Sequence, residues 1–446
     1  MKMTFILPAI GKKARQKYLR TWLMEPLTIA VLNSMIPNTW DREFYDDRIE
    51  NINYETETDL VFITVETYTA KRAYFIANEF RKRGKKVILG GYHVTLMPEE
   101  AMEYADAIMV GNADKIIDDV LTDFKNNDLK KRYDGVSCIK YTMPDRSIYA
   151  NKMKKYLPVS LVETGRGCRH NCEFCSIAKY YDSHYIHREV NDIIEEIKTC
   201  KHKLFFLVDD SIFSDKAFAR DLFTELKKLD IVWTTQITLD IVKDEELLQL
   251  MKDSGCEMVL IGFESINEGN LKQMNKEWTR KLGERDELIE KIHKVGISIY
   301  ASFVFGFDYD NEESFKKTLE FCNKHQFFVT AYNHLLAFPN TKTYDDFKEN
   351  NRLIADKWWL QEGYTFGTIS FTPKQLSPEQ LKEYCKVYKK KFFSFKSIFN
   401  RGMTVCRRTK SSTMRFYYWI INLLFHFEVD KRSGIPVGEN LEEKKK

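Results

Sequence analysis

The chain has 446 residues, of which 43% are hydrophobic and 30% are charged, and this length suggests two or three domains with substantial cores. The formal net charge of +4 is slight for the length and gives no general indication of a nucleic-acid partner. The sequence has no run of about 18 apolar residues, so it predicts no membrane-spanning helix.

Residues 1–130 alternate strand and helix patterns and are predicted to form the first domain. Strands are predicted at 4–7, 59–65, 85–89 and 107–110. Helices are predicted at 27–35, at 70–83 and after Pro98. Strands that alternate with helices of this length indicate a parallel, doubly wound sheet, so the predicted fold is α/β and Rossmann-like.

The carboxyl ends of three of these strands carry the candidate binding residues, because ligands of such sheets bind beyond those ends. The candidates are Thr64, Val65, Glu66, Gly90, Gly91, His93, Val110, Gly111 and Asn112. Glycines there allow the backbone to approach a bulky ligand closely. The alternative is a nucleotide-type fold that binds no cofactor or a different ligand.

A polar connector at 131–158 leads to a second strand–helix series. It holds a predicted strand at 135–141 and a turn at 143–145. Six further strands are predicted at 161–164, 204–208, 232–237, 258–261, 298–305 and 328–335. Helices are predicted between them at 190–200, 217–229, 245–254, 285–295 and 313–325. We assign 159–340 to a core domain and 341–446 to a mainly α-helical C-terminal extension.

Three cysteines lie close together in a C-x3-C-x2-C pattern formed by Cys168, Cys172 and Cys175. Three thiolates can hold three irons of a 4Fe–4S cluster and leave the fourth iron open to another ligand. The alternative is a structural zinc site, which usually takes four ligands, commonly from paired C-x2-C knuckles. The chain has no second knuckle, although His170 lies inside the loop. The other six cysteines are scattered singly, which favours a reducing compartment.

The cysteine segment closely resembles that of radical S-adenosylmethionine (SAM) enzymes. The resemblance rests on the three cysteines, on Phe174 in the aromatic position before the third, and on the flanking residues 161–162 and 165–167. It implies that the open iron binds the amino and carboxylate groups of SAM. One electron then cleaves SAM to a 5′-deoxyadenosyl radical. The resemblance also implies that the six strand–helix units form a (β/α)6 partial TIM barrel.

Polar residues end the strands of this predicted barrel, where barrel enzymes place their chemistry. Residues 262–265 read Gly-Phe-Glu-Ser and resemble the Gly-x-Glu-Ser of the family. The resemblance implies that the acidic pair after the second strand lies near the SAM amino group. It also implies that Glu264 and nearby residues contact polar atoms of SAM. The SAM-site candidates are Phe174, Asp209, Asp210, Gln236, Glu264 and Gly306. The alternative is that some of these residues only cap helices.

Residues 1–130 resemble the cobalamin-binding domain that precedes many radical SAM cores. The matching segments are 59–63, 90–95, 98–101 and 105–114, with Asn112 where the family often has Glu. The resemblance assigns the nine strand-end candidates to cobalamin. The D-x-H-x-x-G motif of domains with a histidine on cobalt has its nearest match at Asp182, where His187 replaces Gly. We therefore expect no cobalt ligand from that motif, and His93 is predicted to be a loop residue near the corrin edge.

The C-terminal region resembles an extension found in a lipid-associated branch of cobalamin radical SAM proteins that includes hopanoid methylases. Asn340 replaces Gly in a turn at 336–341, and a helix is predicted at 381–393. Residues 415–427 are aromatic and apolar, with basic residues on both sides. This segment is too short to span a bilayer. Two interpretations stay open: residues 401–432 contact a membrane interface, or a helix there packs on the barrel or closes a dimer.

The combined resemblance implies a cobalamin-dependent radical SAM methyltransferase that acts on an unactivated carbon of an apolar small molecule, with a lipid as one candidate. The implied cofactors are a 4Fe–4S cluster, SAM and cobalamin, and the implied partner is an electron donor such as flavodoxin or ferredoxin. Two alternatives are a non-methylating rearrangement, cyclisation or carbon–carbon coupling, and a cobalamin or redox sensor without catalysis. We expect a cytoplasmic protein, with the inner membrane face as the site of any peripheral contact.

Overall fold

The computed structural model describes residues 1–135, 142–409 and 411–441, and the chain forms two compact units. Unit 1 consists of Met1–Pro158, Ala355–Phe366 and Gly434–Lys446. Unit 2 consists of Val159–Ile354 and Gly367–Ser433. The predicted extension at 341–446 therefore contributes residues to both units. Most of the strand predicted at 135–141 lies outside the described residues.

Unit 1 contains a six-stranded, fully parallel sheet with helices between its strands. The strands are β1 (Lys2–Leu7), β2 (Asp41–Asp46), β3 (Leu60–Thr64), β4 (Lys86–Gly90), β5 (Ala107–Val110) and β6 (Arg132–Asp134), in the order β2-β1-β3-β4-β5-β6. The helices are α1 (Leu27–Met35), α2 (Ala70–Lys82), α3 (Tyr92–Leu96), α4 (Pro98–Met102) and α5 (Ile117–Lys125). The four predicted strands are present, and the two that the sequence did not predict, β2 and β6, lie at the edges. Their charged sequences lack the apolar run of the central strands, which are covered on both faces.

Two later segments return to complete unit 1. The ring centroid of Trp358 lies 5.1 Å from that of Tyr68, and the ring centroid of Phe366 lies 4.9 Å from that of Trp22. The amide of Gly438 donates to the backbone oxygen of Ile10 at 2.7 Å. Unit 1 is therefore completed by residues that follow the whole second sheet in sequence.

Unit 2 is built on a second six-stranded parallel sheet, in the order β14-β13-β12-β11-β10-β7. Its strands are β7 (Ser160–Val162), β10 (Leu204–Leu207), β11 (Val232–Ile237), β12 (Cys256–Glu264), β13 (Ser298–Phe305) and β14 (Val329–His334). All six predicted strands are present. Each strand pairs with its successor in this sheet, which is the topology of a partial barrel, so the predicted fold class is confirmed.

In the part of unit 2 that the structure describes, a short ribbon and eleven α-helices accompany this sheet. The ribbon pairs β8 (Gly165–Gly167) with β9 (Tyr185–His187) in antiparallel fashion. The helices are α6 (Ser176–Tyr180), α7 (Val190–Thr199), α8 (Lys216–Leu226), α9 (Glu245–Asp253), α10 (Glu268–Gln273), α11 (Arg285–Lys294), α12 (Glu312–His325), α13 (Lys342–Glu349), α14 (Pro378–Phe392), α15 (Phe395–Arg408) and α16 (Ser412–Arg432). The aromatic segment 415–427 lies inside α16. Within the described residues, none of the helices combines the length and the apolar character that crossing a bilayer requires.

A buried arginine fastens α15 to the rest of unit 2. The side chain of Arg401, with 1% exposure of the residue, donates to the backbone oxygens of Phe327 and Phe392 at 2.9 and 3.0 Å. It also donates to Oδ1 of Asn422 at 3.2 Å, and its guanidinium lies 3.6 Å from the ring centroid of Phe392. These acceptors are uncharged, and burial lowers the pKa of Arg401 to about 10. One side chain therefore ties α14, α15 and α16 to the segment before β14.

We expect Arg401→Leu to lower the free energy of unfolding by about 2–4 kcal/mol, because buried backbone oxygens lose charged donors. Urea denaturation of the full chain measures this change. The exposed Arg407 on the same helix gives the matched control, and Arg407→Gln should change the free energy by less than about 0.5 kcal/mol. Equal denaturation midpoints for Arg401→Leu and the parent protein would contradict the assignment.

Candidate active site

The cysteine loop begins at the β8–β9 ribbon of unit 2. Gly167 ends β8 with φ +86°, and a Cβ at this position would lie 2.0 Å from the backbone oxygen of His184. Only glycine fits this backbone position without a shift of the neighbouring strand. The amide of Gly167 donates to Oδ2 of Asp210 at 2.9 Å. The entry to the loop is therefore fixed to the carboxyl end of β10.

The first half of the loop is held by the segments that follow β10, β11 and β12. Arg169 forms an ion pair with Asp240, and its amide donates to Oγ of Ser214 at 3.2 Å. The imidazole of His170 stacks on Trp278 with ring centroids 4.0 Å apart. Burial and the charge of Arg169 lower the pKa of His170 to about 4, so this ring is neutral near pH 7.

The second half of the loop is held by residues beyond α10 and at the start of α13. The amide of Glu173 donates to the backbone oxygen of Met274 at 3.3 Å, and Lys342 pairs with the Glu173 carboxylate at 2.6 Å. Asn275 donates to the backbone oxygen of Asn171 at 2.9 Å. Non-covalent contacts thus hold the loop against segments that follow four different strands of the sheet.

The three cysteines of this loop are half-buried. Burial raises the pKa of the Cys172 thiol to about 12 and also raises the pKa of Cys175, despite hydrogen bonds from the amides of Ile177 and Ala178. Iron binding by these thiols therefore releases protons. Among the described ranges, no three His, Cys, Asp or Glu side chains are close enough to hold a single metal ion. Three thiols from one anchored loop fit the donor set of a three-cysteine iron–sulfur cluster.

Phe174 connects the loop to the turn after β13. Its ring lies 6.0 Å from that of Phe307 in an edge-on arrangement. The carboxylate of Asp310 accepts hydrogen bonds from the amides of Gly306 and Phe307 at 2.9 and 3.1 Å, and from Asn270 at 2.8 Å. Burial raises the pKa of Asp310 to about 6 despite these bonds. Asp310 therefore shapes the turn that contains two residues of the site.

The acidic pair after β10 is divided between two environments. Asp209 is buried and accepts a hydrogen bond from Oγ1 of Thr164 at 2.6 Å, whereas Asp210 is only partly buried. Burial raises the pKa of Asp209 to about 8 and that of Asp210 to about 6. Gln236, at the end of β11, donates to the backbone oxygen of Asp210 at 3.2 Å. The structure thus brings these three predicted residues together at one edge of the sheet.

Glu264 ends β12 in the left-handed region, with φ +60°. Its Oε1 accepts from Nζ of Lys276 at 2.9 Å, and Lys276 also donates to the backbone oxygen of Gly262 at 2.8 Å. Both charged side chains are buried. A Cβ at Gly262 would lie 2.1 Å from Oε1 of Glu264, so a larger residue there would displace this carboxylate from its present position. Gly262, Glu264 and Lys276 therefore form one structural unit.

Lys276 is a residue of the site that the sequence interpretation missed. Burial by itself would lower its pKa, but the negative charges of Glu264, Cys172 and Cys175 outweigh that effect and raise the pKa. Lys276 lies in an irregular segment after α10, where no strand end or periodic pattern marks it. The sequence offered one indication of its role, which is that this lysine follows the Gly-Phe-Glu-Ser segment at 262–265 within the same strand–helix unit.

In unit 1, the strand ends of β3, β4 and β5 form the predicted cobalamin edge. Thr64, Glu66, Gly90 and Gly111 are at least partly exposed there, whereas the side chain of Val65 is buried. Val110 and Gly91 are also partly exposed, and Asn112 is buried. This edge carries little side-chain bulk, which suits a wide ligand.

The glycines of this edge are explained by packing within unit 1. A Cβ at Gly91, which has φ +104°, would lie 3.0 Å from the backbone of Val65. A Cβ at Gly111, with φ +78°, would lie 2.9 Å from the backbone oxygen of Gly135. Close approach of neighbouring backbones therefore requires these glycines whether or not a ligand is bound.

The prediction that His93 is a loop residue is wrong, because His93 lies on α3 and is fully buried. Its two ring nitrogens lie 3.2 Å from Oγ1 of Thr67 and 3.1 Å from Oε1 of Glu100. Glu100 also accepts from the indole of Trp359 at 3.0 Å. Burial alone would raise the pKa of Glu100, but the hydrogen bonds from His93 and Trp359 help to lower it to about 2. His93 thus helps to hold the returning segment on unit 1.

Comparison with known proteins agrees with the geometry of both sheets. The model of the Radical SAM superfamily matches residues 162–322. Bacteriochlorophyllide d C-8(2)-methyltransferase of Chlorobaculum tepidum is 29% identical over 397 residues, which cover 84% of this chain and 88% of that protein. Hopanoid C-2 methylase of Rhodopseudomonas palustris is 23% identical and covers 75% of this chain and 66% of that protein.

Two solved structures share the fold. The radical SAM methyltransferase TsrM of Kitasatospora setae, solved with cobalamin and a 4Fe–4S cluster, has a TM-score of 0.60 and 16% identity, covering 86% of this chain and 84% of that chain. The cobalamin-dependent radical enzyme OxsB, solved with aqua-cobalamin and SAM, has a TM-score of 0.64 and 13% identity, covering 96% and 72%. The family interpretation of the cysteine segment is therefore confirmed. Residues 162–322 of the chain are a radical SAM domain.

Proposed function

We propose that the protein is a cobalamin-dependent radical SAM methyltransferase that acts on an unactivated carbon of an apolar small molecule. The observation that carries the proposal is the cysteine loop anchored at the carboxyl edge of the unit 2 sheet. It is supported by the similarity of most of the chain to bacteriochlorophyllide and hopanoid methylating enzymes. These relatives suggest a tetrapyrrole or a polycyclic lipid as the substrate class.

In this proposal, Cys168, Cys172 and Cys175 hold the 4Fe–4S cluster, and the strand-end residues of unit 2 hold SAM. When bound, the cluster, SAM and cobalamin supply the one-electron and methyl-transfer chemistry. The chain's own part is positional. Lys276 places a positive charge beside two of the thiols, and Phe174 packs against the turn at Phe307.

The unit 1 edge is the proposed cobalamin site. Its accessible groups are Thr64, Glu66 and the backbone of Gly90, Gly91 and Gly111. These groups are polar and small, so they suit a wide corrin that carries many amide side chains. Val65 and His93 act there only through the backbone and through packing, because their side chains are buried. Val110 and Asn112 complete the edge.

The proposed partners are a small-molecule substrate and a one-electron donor such as flavodoxin or ferredoxin. We also propose a cytoplasmic location with peripheral contact to the inner membrane face through residues 401–432.

Anaerobic purification, followed by reconstitution with iron, sulfide and hydroxocobalamin, tests the cofactor set. We expect about four irons and one cobalamin per chain after desalting. Incubation with SAM, a reductant and either a chlorophyllide or a hopanoid should give a product heavier by one methylene. S-adenosylhomocysteine and 5′-deoxyadenosine should form alongside it.

Three results would count against the proposal. A cluster without bound corrin would remove cobalamin from the mechanism. A product formed without S-adenosylhomocysteine would favour cyclisation or coupling. Absence of SAM cleavage under reducing conditions would favour a sensor.

A further inference from the structure

Helices α15 and α16 form an antiparallel hairpin joined by residues 409–411. The ring of Phe395, at the start of α15, lies 6.3 Å from that of Phe427, near the end of α16. The ring of Phe399 lies 6.4 Å from that of Trp419. A Cβ at Gly402 would lie 2.6 Å from the Trp419 ring, so glycine permits the close approach of the two helices.

One face of this hairpin carries a row of exposed apolar side chains, here named the apolar ridge. Its members are Phe395, Phe399, Met403, Phe416, Leu423 and Phe427. Of the eleven large hydrophobic residues that are exposed in the described part of the chain, these six belong to this hairpin. The exposed fraction reaches 64% at Phe416. Such a concentration on one surface marks an interaction site rather than scattered surface residues.

The other face of the hairpin is firmly seated on unit 2. Ile398, Arg401 and Val405 of α15 are buried, as are Tyr418 and Asn422 of α16. Asn422 donates to the backbone oxygen of Phe328, outside the hairpin, at 3.0 Å, while the Tyr418 hydroxyl joins the two helices by donating to the backbone oxygen of Ile398 at 2.7 Å. The ridge is therefore the outward side of a fixed element.

Basic residues outnumber acidic ones in this region, although Asp430 of α16 pairs with Lys386 and Lys390. Residues 384–427 contain ten Lys and Arg residues and no Asp or Glu. Because the whole chain carries +4, the remaining residues together carry −6, the difference between +4 and +10. On the hairpin itself, Lys396, Arg407 and Arg415 are exposed. The apolar ridge is thus accompanied by a local excess of positive charge.

We propose that the apolar ridge docks on the surface of an anionic phospholipid bilayer. Aromatic and aliphatic side chains would enter the boundary between headgroups and acyl chains, and the basic residues would contact anionic headgroups. A second copy of this chain fits less well, because two surfaces with the same excess of positive charge repel each other. The inference deepens the proposed membrane contact and does not depend on methyl transfer, so the two can fail separately.

Flotation of the full chain with vesicles tests the inference. The vesicles contain phosphatidylcholine alone or phosphatidylcholine mixed with phosphatidylglycerol, at low and at high salt. We expect binding to the mixed vesicles that weakens with salt. The double substitution Phe399→Ser with Phe427→Ser should lower the partition coefficient by roughly tenfold or more. Lys396→Gln with Arg407→Gln should lower it by about 25-fold at low salt.

The matched control is Phe75→Ser with Tyr309→Ser, which removes two exposed rings outside the hairpin and should leave vesicle binding unchanged. Unfolding midpoints of all variants check that each one folds. The inference is overturned if the full chain ignores anionic vesicles or if the ridge variant binds them as the parent does. It is also overturned if light scattering finds a dimer that the ridge variant abolishes while vesicle binding is absent.

Discussion

Replacing Cys172 with alanine is expected to remove most of the bound iron and to lower SAM cleavage by roughly a thousandfold or more, because the three thiols act as one unit. Cys172 lies in the middle of a loop that is held at both ends by other contacts, so the fold of unit 2 should persist. Iron and sulfide analysis, together with the yield of 5′-deoxyadenosine, measures the loss. Circular dichroism checks the fold.

Cys200→Ala is the matched control for this substitution. Cys200 is half-buried, as Cys172 is, but it follows α7 and lies outside the cysteine loop. Iron content and SAM cleavage should match those of the parent protein. If Cys172→Ala kept about four irons and normal cleavage, the loop would not be the cluster site.

The second large effect is expected for Lys276→Met. This change leaves the buried Glu264 carboxylate without its ion pair, which should lower the free energy of unfolding by about 3–5 kcal/mol. SAM cleavage should fall by roughly a hundredfold, because the pair sits beside the thiols and shapes the end of β12. Chemical denaturation and 5′-deoxyadenosine yield measure the two losses. Adding Glu264→Gln should restore part of the stability but not the cleavage.

A comparable ion pair at the opposite end of β12 provides the control. Lys252 lies 2.7 Å from the carboxylate of Glu257, and both side chains are largely buried. Lys252→Met should cost stability but leave SAM cleavage unchanged. If Lys276→Met altered neither stability nor cleavage, Lys276 would contribute neither to the fold nor to the function of the site.

The strands of both sheets were largely predictable, because buried parallel strands appear as apolar runs that polar turn residues interrupt. The six strands of unit 2 follow this pattern. The edge strand β2 does not, because its sequence is Asp-Arg-Glu-Phe-Tyr-Asp and only Phe44 and Asp46 of its six side chains are buried. A local sequence pattern cannot identify this strand, because β2 forms by pairing with the edge of β1, which is a tertiary contact.

The site was predictable where its residues adjoin strand ends or the cysteine pattern. Asp209, Asp210, Gln236 and Glu264 meet at the carboxyl edge of one sheet, as parallel topology requires. Lys276 was missed because a loop residue reaches the site only through the tertiary fold. His93 was misassigned because the glycines before it suggested a loop, whereas a short helix begins directly after Gly91.

The return of residues 355–366 to unit 1 has a consequence for protein synthesis. Tyr68 emerges early from the ribosome, but its aromatic neighbours Trp358 and Phe366 are translated only after the whole second sheet. At usual elongation rates, the 208 residues between 158 and 366 take about 10–40 s to make. Until those residues are made, the nascent first unit keeps part of its aromatic surface uncovered, so its folding cannot be completed before the second sheet has been synthesised.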